Sequence, residues 1–248
     1  MRLRSLRRWA PPRLKALLSA RALARTRSEF GAMTLRKSFE EVYSRRLWGS
    51  GQSTAPRSGE GSNSEFATAY AALVADVVHQ QGSVHAVADL GCGDFSVGRH
   101  IRDLGIAYVG IDVVPAVIAE NNKLYSGENV RFLCKDLAKD ELPPAGLALL
   151  RQVLQHLSNE EIRQVLSACA IYPLILVTEH VPAGTGWTPN QDKPHGPDIR
   201  LYDGSGVDLQ APPFSVPARE LHVLPYPGEL GGVLRTVAIR GADLAREA

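Results

Sequence analysis

The sequence predicts an α/β fold, a Rossmann-like, doubly wound and mostly parallel sheet that ends in an antiparallel hairpin. Short apolar runs alternate with stretches of helical periodicity through the middle of the chain. Such alternation is typical of parallel strands joined by right-handed helical crossovers. Near the end, two β-rich runs at residues 220–227 and 232–240 flank a Gly-rich turn. This pattern predicts the hairpin at the sheet edge.

The expected elements follow one another in a regular order. Phe66, Tyr70 and Val74 recur at helical spacing up to Gly82 and predict an amphipathic helix that covers the sheet. Strands are expected at residues 84–90, 106–112, 130–134, 146–151 and 172–178. The helices between them are expected at residues 95–104, 115–126 and 158–170.

Composition divides the chain into three segments. Residues 1–50 carry 13 Lys and Arg against 3 Asp and Glu, which predicts a basic helical extension ahead of a mildly acidic body. Residues 51–64 are rich in Gly and Ser and predict a lid or linker. Residues 65–248 are the expected folded domain. Within it, residues 180–218 contain seven prolines and five glycines, which predicts a substrate loop.

The composition also excludes several protein classes. An apolar content of 44% with 22% charged residues is ordinary for a globular protein. Three cysteines without a CxxC spacing indicate neither a disulfide framework nor a zinc site, so no metal is expected and a reducing compartment is favoured. No stretch approaches the roughly 20 apolar residues of a membrane span, and the N-terminus lacks a secretory apolar core. We therefore expect a cytoplasmic protein.

The basic N-terminal segment leaves several interpretations open. Leu14, Leu17 and Leu18 would share one helical face, with arginines elsewhere, which suits peripheral contact with an anionic inner-membrane surface or with a protein partner. An organelle transit peptide, a solvated helix and a disordered arm are alternatives. Specific nucleic-acid binding is not expected, because no aromatic RNA-binding motif accompanies the basic residues. The oligomeric state stays open.

A Gly-rich turn at residues 87–95, VADLGCGDF, follows the first expected strand. Ligands of open parallel sheets bind at this point, beyond the strand's carboxyl end. Gly91 and Gly93 permit close backbone approach, and Asp112, at the end of the second strand, is positioned to accept hydrogen bonds from ribose hydroxyls. A dinucleotide fingerprint would require its third glycine at Ser96, which disfavours a nicotinamide-dependent reductase.

Charge at this turn separates two classes of ligand. Asp89 and Asp94 flank it with negative charge, which disfavours a pyrophosphate at the helix N-terminus. A ligand with a cationic centre, an amino group and a ribose suits these carboxylates better. S-adenosylmethionine has all three.

Four motifs in order resemble those of the class I S-adenosylmethionine-dependent methyltransferases. They are VADLGCG at 87–93 (motif I), GID at 110–112 (the ribose-binding acid), CKDL at 134–137 (the acid that contacts the adenine amino group) and LLRQVLQHLSNEEI at 149–162 (the fourth strand and following segment). The resemblance covers about residues 65–180. It departs from the family at Phe95, where many members have a third glycine.

This resemblance implies a methyltransferase with S-adenosylmethionine as its cofactor. The implied cofactor-binding residues are Asp89, Gly91, Cys92, Gly93, Asp112, Val113, Asp136, Leu137 and Gln152. Cys92 is interpreted as a small filler of the turn rather than a nucleophile, because no base is placed beside it by sequence.

The flanking segments are similar to a narrower subgroup of bacterial methyltransferases, some of them associated with surface-polysaccharide gene sets. The similar segments are residues 40–51, 58–62, 178–200 and 205–214. The subgroup implies a saccharide or another small-molecule acceptor. O-methylation of a hydroxyl is therefore the leading hypothesis.

An alcohol acceptor requires a base, and histidine suits that role near neutral pH. His156 follows the fourth expected strand and His180 the fifth, so both are candidate catalytic residues, with a structural role as the alternative for each. The candidate substrate-binding residues are Trp48, Glu179, Asn190, Asp192, Lys193, His195, Asp198 and Arg200. Trp48 and the SGEGS stretch at 58–62 are expected to fold over the cofactor as a lid, with a plain linker as the alternative.

Two other functions stay open beside the leading one. A non-catalytic module could retain the S-adenosylmethionine fold and bind a membrane or protein through its basic arm. An N-methyltransferase acting on a small molecule or a protein would share the same cofactor motifs. Methylation of nucleic-acid bases is disfavoured, because RQVLQH at 151–156 replaces the Asn/Asp-Pro-Pro-aromatic signature expected there.

Overall fold

The computed structural model describes residues 12–48, 58, 64–227 and 230–245, with backbone alone for residues 12–18 and 64. The helices are α1 (Pro12–Gly31), α2 (Leu35–Ser44), α3 (Ser64–Gln81), α4 (Gly98–Arg102), α5 (Pro115–Tyr125), α6 (Asn159–Cys169) and α7 (Gly241–Leu244). The strands are β1 (Ala86–Leu90), β2 (Ala107–Asp112), β3 (Val130–Cys134), β4 (Leu147–Arg151), β5 (Leu174–Val181), β6 (Arg219–Pro225) and β7 (Val233–Ile239).

All seven strands form one sheet in the order β3-β2-β1-β4-β5-β7-β6. The first five are parallel, β7 is antiparallel to β5, and β6 is antiparallel to β7. The predicted fold class is confirmed, including the antiparallel hairpin at one edge. Strand order reverses between β1 and β4, and such a switch point opens a ligand crevice at the carboxyl ends of the strands.

The central strands are buried on both faces, as their continuous apolar sequences require. Alternate side chains of β1 enter opposite apolar clusters, Ala88 and Leu90 on one face of the sheet and Val87 on the other. Helix α3 covers the second face through Tyr70 and Val74. This is the covering role expected for the amphipathic helix.

The N-terminal extension is more closely integrated than its composition indicates. Phe30, Phe39 and Val42 are buried in the same apolar cluster as Leu90. The second half of the basic segment therefore packs with the sheet. The face expected to carry Leu14, Leu17 and Leu18 lies outside the described side chains.

The Pro-rich segment at 182–218 likewise contributes to the core. It contains a 3₁₀ turn at Arg200–Asp203, and four of its side chains join the cluster that includes α2. These are Val207, Leu209, Phe214 and Val216. The segment lacks periodicity because isolated apolar residues, rather than a helix face or a strand, anchor it.

Two element boundaries differ from those expected. Strand β5 continues to Val181, because residues 175–181 pair with β7, so Glu179 and His180 lie within the strand rather than after it. Helix α4 is a single short turn, since the Gly-rich turn extends to Val97. Among the described helices, none is both long and apolar enough to cross a membrane.

Candidate cofactor and acceptor cleft

A cavity of about 630 Å³ lies at the carboxyl ends of strands β1 to β5. Its size is within the range of small-molecule sites in proteins, about 300 to 1,000 Å³. Carboxylates from β1, β2 and the segment after β3 line one part, and histidines from β5 and the segment after β4 line another. Helix α2 and Trp48 contribute further lining residues from the N-terminal side.

Backbone conformation explains both glycines of the turn. Gly91 and Gly93 have φ angles of +84° and +53°, which disfavour side chains. A Cβ on Gly93 would lie 2.1 Å from Ser58 Oγ, and one on Gly91 would lie 2.4 Å from Val153 Cγ2. The glycines therefore allow neighbouring segments to approach the turn closely.

Phe95 departs from the family motif without abolishing the turn. Its φ of +62° is left-handed, a conformation that glycine adopts easily and phenylalanine does not. The ring is buried and packs against Tyr108, Tyr125 and Phe132 at centroid distances of 4.9 to 5.2 Å. This aromatic packing offsets the backbone strain, so the turn persists without the third glycine.

Asp112 is held at the tip of β2 by backbone donors. Its carboxylate accepts hydrogen bonds from the N–H groups of Gly93 at 3.1 Å and Val114 at 3.0 Å. Burial raises the pKa of Asp112 to about 6, and the backbone donors oppose that rise. The carboxylate is thus oriented, desolvated and next to the Gly-rich turn.

Asp89, at the tip of β1, has a similar environment. It accepts a hydrogen bond from the Tyr108 hydroxyl, and burial raises its pKa to about 6. Asp136, after β3, accepts from the Ala138 N–H at 3.0 Å. Three carboxylates from successive segments therefore border one cavity.

All nine residues proposed to bind the cofactor line this cavity. Their side chains or backbones come from β1, β2, and the segments after β3 and β4, which the topology brings to one edge of the sheet. Cys92 is buried, and burial raises the pKa of its thiol well above the usual range, which suits a filler better than a nucleophile.

His180 lies in the cavity wall, with a fixed tautomer. Its Nε2 is 2.6 Å from the Gly231 carbonyl oxygen, and a carbonyl only accepts, so Nε2 carries the proton. Nδ1 then keeps its lone pair, the state that a base requires. Burial lowers the pKa of His180, and the ring packs against Tyr226 at 4.4 Å.

His156 also lines the cavity but is a weaker base. It is buried beside Lys193, and burial, followed by the charge of Lys193, lowers its pKa to about 3. Hydrogen bonding to the backbone of Gly196 and Asp198 opposes this lowering. The ring therefore stays neutral at physiological pH.

Trp48 packs over His156, with ring centroids 4.7 Å apart, and its Nε1 donates to the Pro197 carbonyl at 3.1 Å. It thus joins the N-terminal segment to the Pro-rich segment above the cavity. Of the SGEGS stretch, only Ser58 lies within the described residues. Ser58 Oγ accepts from the Asp94 N–H at 2.8 Å, beside the Gly-rich turn.

Glu179 requires a revised interpretation. It was expected to bind the substrate, but its carboxylate accepts hydrogen bonds from three successive N–H groups, those of residues 153–155, at 2.8 to 3.2 Å. Burial raises the pKa of Glu179 to about 7. Its observed contacts are with the backbone that follows β4, and it is not among the cavity-lining residues.

Arg200 binds the carbonyl side of the same backbone segment after β4. Its fully buried guanidinium donates to the carbonyls of residues 154, 155 and 157 at 2.8 to 3.3 Å, and to Asn159 Oδ1 at 2.9 Å. A substrate contact is at odds with this position, because the donors are directed to protein acceptors and the side chain does not line the cavity.

The other five polar residues proposed for substrate binding also bond within the protein, outside the cavity lining. They are Asn190, Asp192, Lys193, His195 and Asp198. Asn190 Nδ2 donates to backbone carbonyls, and Asp192 accepts from the N–H of Asn159 at the start of α6.

Lys193, Asp198 and His195 connect the Pro-rich segment to its neighbours. Lys193 pairs with Asp198 at 3.5 Å, and Asp198 in turn pairs with Arg27 of α1 at 2.8 Å. His195 contacts Glu161 at 2.6 Å and the Met33 carbonyl at 3.2 Å. Of the eight proposed substrate residues, Trp48 alone borders the cavity.

Sequence reasoning missed several residues that the fold brings to the cavity wall. They are Tyr43, Tyr70, Arg151, Gln155, Tyr202 and Tyr226. Arg151 ends β4 and Gln155 lies in the turn that follows it, both within the motif at 149–162, so a polar residue there was an available signal. The tyrosines come from helices and loops whose approach to the cavity depends on tertiary packing. Within the described part of the chain, no group of three or more His, Cys, Asp or Glu side chains could hold a metal ion.

A family model described as a methyltransferase domain matches residues 88–171. This segment contains the end of β1, all of β2 to β4, α6 and the carboxylates that border the cavity. The expected enzyme class, a methyltransferase, is thereby confirmed. No curated protein is detectably similar to it in sequence.

Solved structures agree with this fold. N-methyltransferase NodS from Bradyrhizobium japonicum WM9, in complex with S-adenosylhomocysteine, has a TM-score of 0.57 at 12% identity, over 82% of this chain and 98% of that one. The 1,6-didemethyltoxoflavin-N1-methyltransferase of Burkholderia thailandensis has a TM-score of 0.54 at 18% identity, over 86% and 89%. Magnesium protoporphyrin IX methyltransferase from Synechocystis PCC 6803, with bound SAM, has a TM-score of 0.51 at 18% identity, over 84% and 99%. Likeness at these identities establishes the fold.

Proposed function

We propose that the methyltransferase uses S-adenosylmethionine to methylate a hydroxyl of a small molecule, with a saccharide as the leading candidate. The observation that carries the cofactor assignment is the row of three carboxylates, Asp89, Asp112 and Asp136, along one cavity. Buried carboxylates with raised pKa values favour a ligand that brings positive charge. Three of the similar solved structures contain S-adenosylmethionine or its demethylated product.

The residues present fit an adenosyl ligand part by part. Asp112 is oriented by two backbone donors beside Gly93 and suits ribose hydroxyls. Asp136 and Leu137 border the cavity after β3, where the family binds adenine. Asp89 and Gln152 are left for the amino-acid end of the ligand.

When bound, S-adenosylmethionine supplies a methyl group already activated by its sulfonium. The protein then has to align the acceptor oxygen opposite the sulfur and remove the hydroxyl proton. His180 is the proposed base, because its Nδ1 keeps a lone pair while Nε2–H donates to Gly231. In such a transfer the hydroxyl proton would pass to His180 as the acceptor oxygen takes the methyl group and S-adenosylhomocysteine leaves. His156, with its pKa of about 3, is assigned to acceptor positioning.

The part of the cavity near the histidines supports a small cyclic acceptor. Trp48 packs against His156 and Tyr226 against His180 there, and aromatic faces pack well against sugar or aromatic rings. Two of the similar structures are named N-methyltransferases, so an amine acceptor is the second candidate. A neutral base within the wall serves an alcohol, which must lose its proton to become a strong nucleophile.

Calorimetry with S-adenosylhomocysteine tests the cofactor assignment. We expect wild-type protein to bind it and Asp112→Ala to bind at least about tenfold more weakly, because a charged hydrogen-bond acceptor contributes about 1.5 to 3 kcal/mol. Asp103→Ala, which alters an exposed aspartate paired with Arg102, is the matched control. No binding by the wild type would refute the proposal, as would tight binding of NADH.

Labelled methyl transfer tests the acceptor. Wild-type protein is incubated with S-[methyl-³H]adenosylmethionine and panels of monosaccharides, phenols and amines. His180→Gln is expected to lower kcat by about 100-fold for an alcohol, the ordinary scale of general-base catalysis, and to leave S-adenosylhomocysteine binding intact. Methylation confined to amines would replace the O-methyltransferase assignment by N-methylation.

A further inference from the structure

Tyr202 and Leu230 differ from the other residues that line the cavity, because both are also exposed to solvent. The exposed fraction is 57% for Tyr202 and 44% for Leu230. Every other described residue of the cavity lining is buried or half-buried. A residue that borders a cavity and is also exposed lies at its opening. Tyr202 and Leu230 therefore form an apolar rim at the opening of the cavity.

The apolar rim is on the acceptor side of the cavity. Leu230 directly precedes Gly231, whose carbonyl oxygen is 2.6 Å from His180 Nε2. Tyr202 belongs to the 3₁₀ turn at Arg200–Asp203, and this turn contacts β5, the strand that carries His180. In the sheet, β4 separates β5 from β1, the nearest strand with a carboxylate assigned to the cofactor. The rim therefore lies beside the proposed base.

Ordered backbone holds both parts of the apolar rim. The 3₁₀ turn is closed by a hydrogen bond from the Ser205 N–H to the Arg200 carbonyl at 3.1 Å, and the Arg200 side chain is fully buried. The turn between β6 and β7 is closed by a hydrogen bond from the Tyr226 N–H to the Gly232 carbonyl at 3.0 Å. The protein thus presents two large side chains to solvent from fixed positions, as binding sites require.

Continuity with the cavity distinguishes the rim from the rest of the exposed apolar surface. Single exposed apolar side chains are common and by themselves indicate no site. Four other large apolar side chains are exposed in the described part of the chain, and none of them lines the cavity. They are Leu47, Leu124, Ile171 and Val223. A ligand held in the cavity covers the rim only if part of that ligand extends through the opening.

We propose that the acceptor carries an apolar substituent that leaves the cavity over Tyr202 and Leu230, while its hydroxyl lies beside His180. Contact between the substituent and the rim removes apolar surface of both from water, which is favourable. The acceptor is therefore an amphiphile, with a polar hydroxyl-bearing part inside the cavity and an alkyl or aryl group at the rim. The inference rests on the proposed function, since it describes the acceptor of that reaction.

Calorimetry with two series of alcohols tests the apolar substituent. Protein saturated with S-adenosylhomocysteine is titrated with methyl, butyl and hexyl β-D-glucopyranoside and, separately, with 1-butanol, 1-hexanol and 1-octanol, all at concentrations below micelle formation. The affinity is expected to rise at least about tenfold from the shortest to the longest member of a series, because each added methylene buries further apolar surface.

Substitutions at the rim locate the substituent. Tyr202→Ser and Leu230→Ser are each expected to weaken the longest binding member of a series about three- to fivefold, and the double variant about tenfold. The Kd of S-adenosylhomocysteine should change less than twofold. Ile171→Ser and Leu124→Ser are the matched controls, because these side chains are 57% and 52% exposed and lie outside the cavity lining.

Two results would overturn the inference. In the first, affinity does not rise with chain length in either series, absence of binding included. In the second, affinity rises but the rim variants weaken the alcohols no more than the controls do. Sedimentation velocity and co-sedimentation with phosphatidylglycerol vesicles then show whether the rim binds a second copy of the chain or a bilayer instead. If S-adenosylhomocysteine fails to bind, the proposed function fails, and the same titrations of the ligand-free protein still decide the role of the rim.

Discussion

The cleft at the strand ends and the Pro-rich segment above it are both rich in buried polar side chains, yet they differ in how many hydrogen bonds the protein supplies to those groups. In the Pro-rich segment, Arg200 makes five hydrogen bonds to protein acceptors. In the cleft, Asp89 and Asp112 are desolvated carboxylates with raised pKa values, and Gln155 Oε1 has no hydrogen-bond partner among the described residues.

This difference separates the residues of the methyltransferase that stabilise its fold from those that are available to bind a ligand. A buried charge that is hydrogen bonded on all sides stabilises one backbone arrangement, whereas a buried polar atom without a partner lowers stability until a ligand provides one. The Pro-rich segment shapes the cleft. The cleft retains the capacity to bind.

Arg200→Met gives the largest expected effect on the structural side of this comparison. It leaves several buried carbonyls and Asn159 Oδ1 unsatisfied, so we expect the free energy of unfolding to fall by about 3 to 5 kcal/mol. Urea denaturation followed by circular dichroism measures it. Arg200→Lys keeps the charge but has fewer donors, so its free energy of unfolding should lie between those of the wild type and Arg200→Met. A loss below about 1 kcal/mol would contradict the structural role.

Asp112→Asn is expected to weaken ligand binding while leaving the stability of the fold nearly unchanged. The amide keeps one acceptor for the Gly93 or Val114 N–H and removes a desolvated charge, so the unfolding free energy should change by less than about 1 kcal/mol. Binding of S-adenosylhomocysteine should nevertheless weaken at least about tenfold. Asp103→Asn is the control. Equal losses of stability and binding would remove the distinction between the two regions.

The pH dependence of cofactor affinity refines the comparison. Burial raises the pKa values of Asp89 and Asp112 to about 6, so both are largely protonated at pH 5 and ionised at pH 7.5. A cation binds the ionised form, and affinity for S-adenosylmethionine should rise about three- to tenfold over that interval. S-adenosylhomocysteine, which lacks the sulfonium charge, should gain less. Identical profiles from calorimetry would argue against a charge-selective cleft.

Substitution of His195 gives the smallest expected effect, a pH-dependent change in the free energy of unfolding. Hydrogen bonding to Glu161 raises its pKa, so the folded state binds its proton more tightly than the unfolded state does. Its contribution is therefore present below pH 6.5 and is lost as the pH rises through the raised value. His195→Gln should destabilise by about 1 kcal/mol more at pH 5.5 than at pH 9. His222→Gln, on the exposed edge strand, is the control, and a pH-independent difference would contradict the assignment.

Residues at strand ends were predictable because topology alone brings them together. Once β1, β2 and β3 are recognised as parallel neighbours, Asp89, Asp112 and the residue after β3 must share one edge of the sheet. Gly91 and Gly93 were predictable for a similar reason, since the turn between β1 and α4 requires left-handed backbone there. These positions follow from strand periodicity and connection geometry.

Residues of the Pro-rich segment were not predictable in the same way. Polar side chains in a segment without periodicity have the same sequence signature whether they face a ligand or a neighbouring backbone. Lys193 and Arg200 were therefore assigned to substrate, although one pairs with Asp198 and the other with the carbonyls after β4. The approach of Phe39 to the cleft was equally hidden, because the composition of its segment indicates a basic arm.

The amino-acid sequence by itself determined the sheet, its parallel connections and the carboxylates at its edge, because local periodicity and short crossovers leave few alternatives. Tertiary structure alone decided which buried polar groups are satisfied. That choice depends on contacts between segments far apart in the chain, such as Arg27 with Asp198 and Glu179 with residues 153–155. A hydrogen bond requires two partners, and the sequence alone does not show which distant residue will lie next to a given polar group.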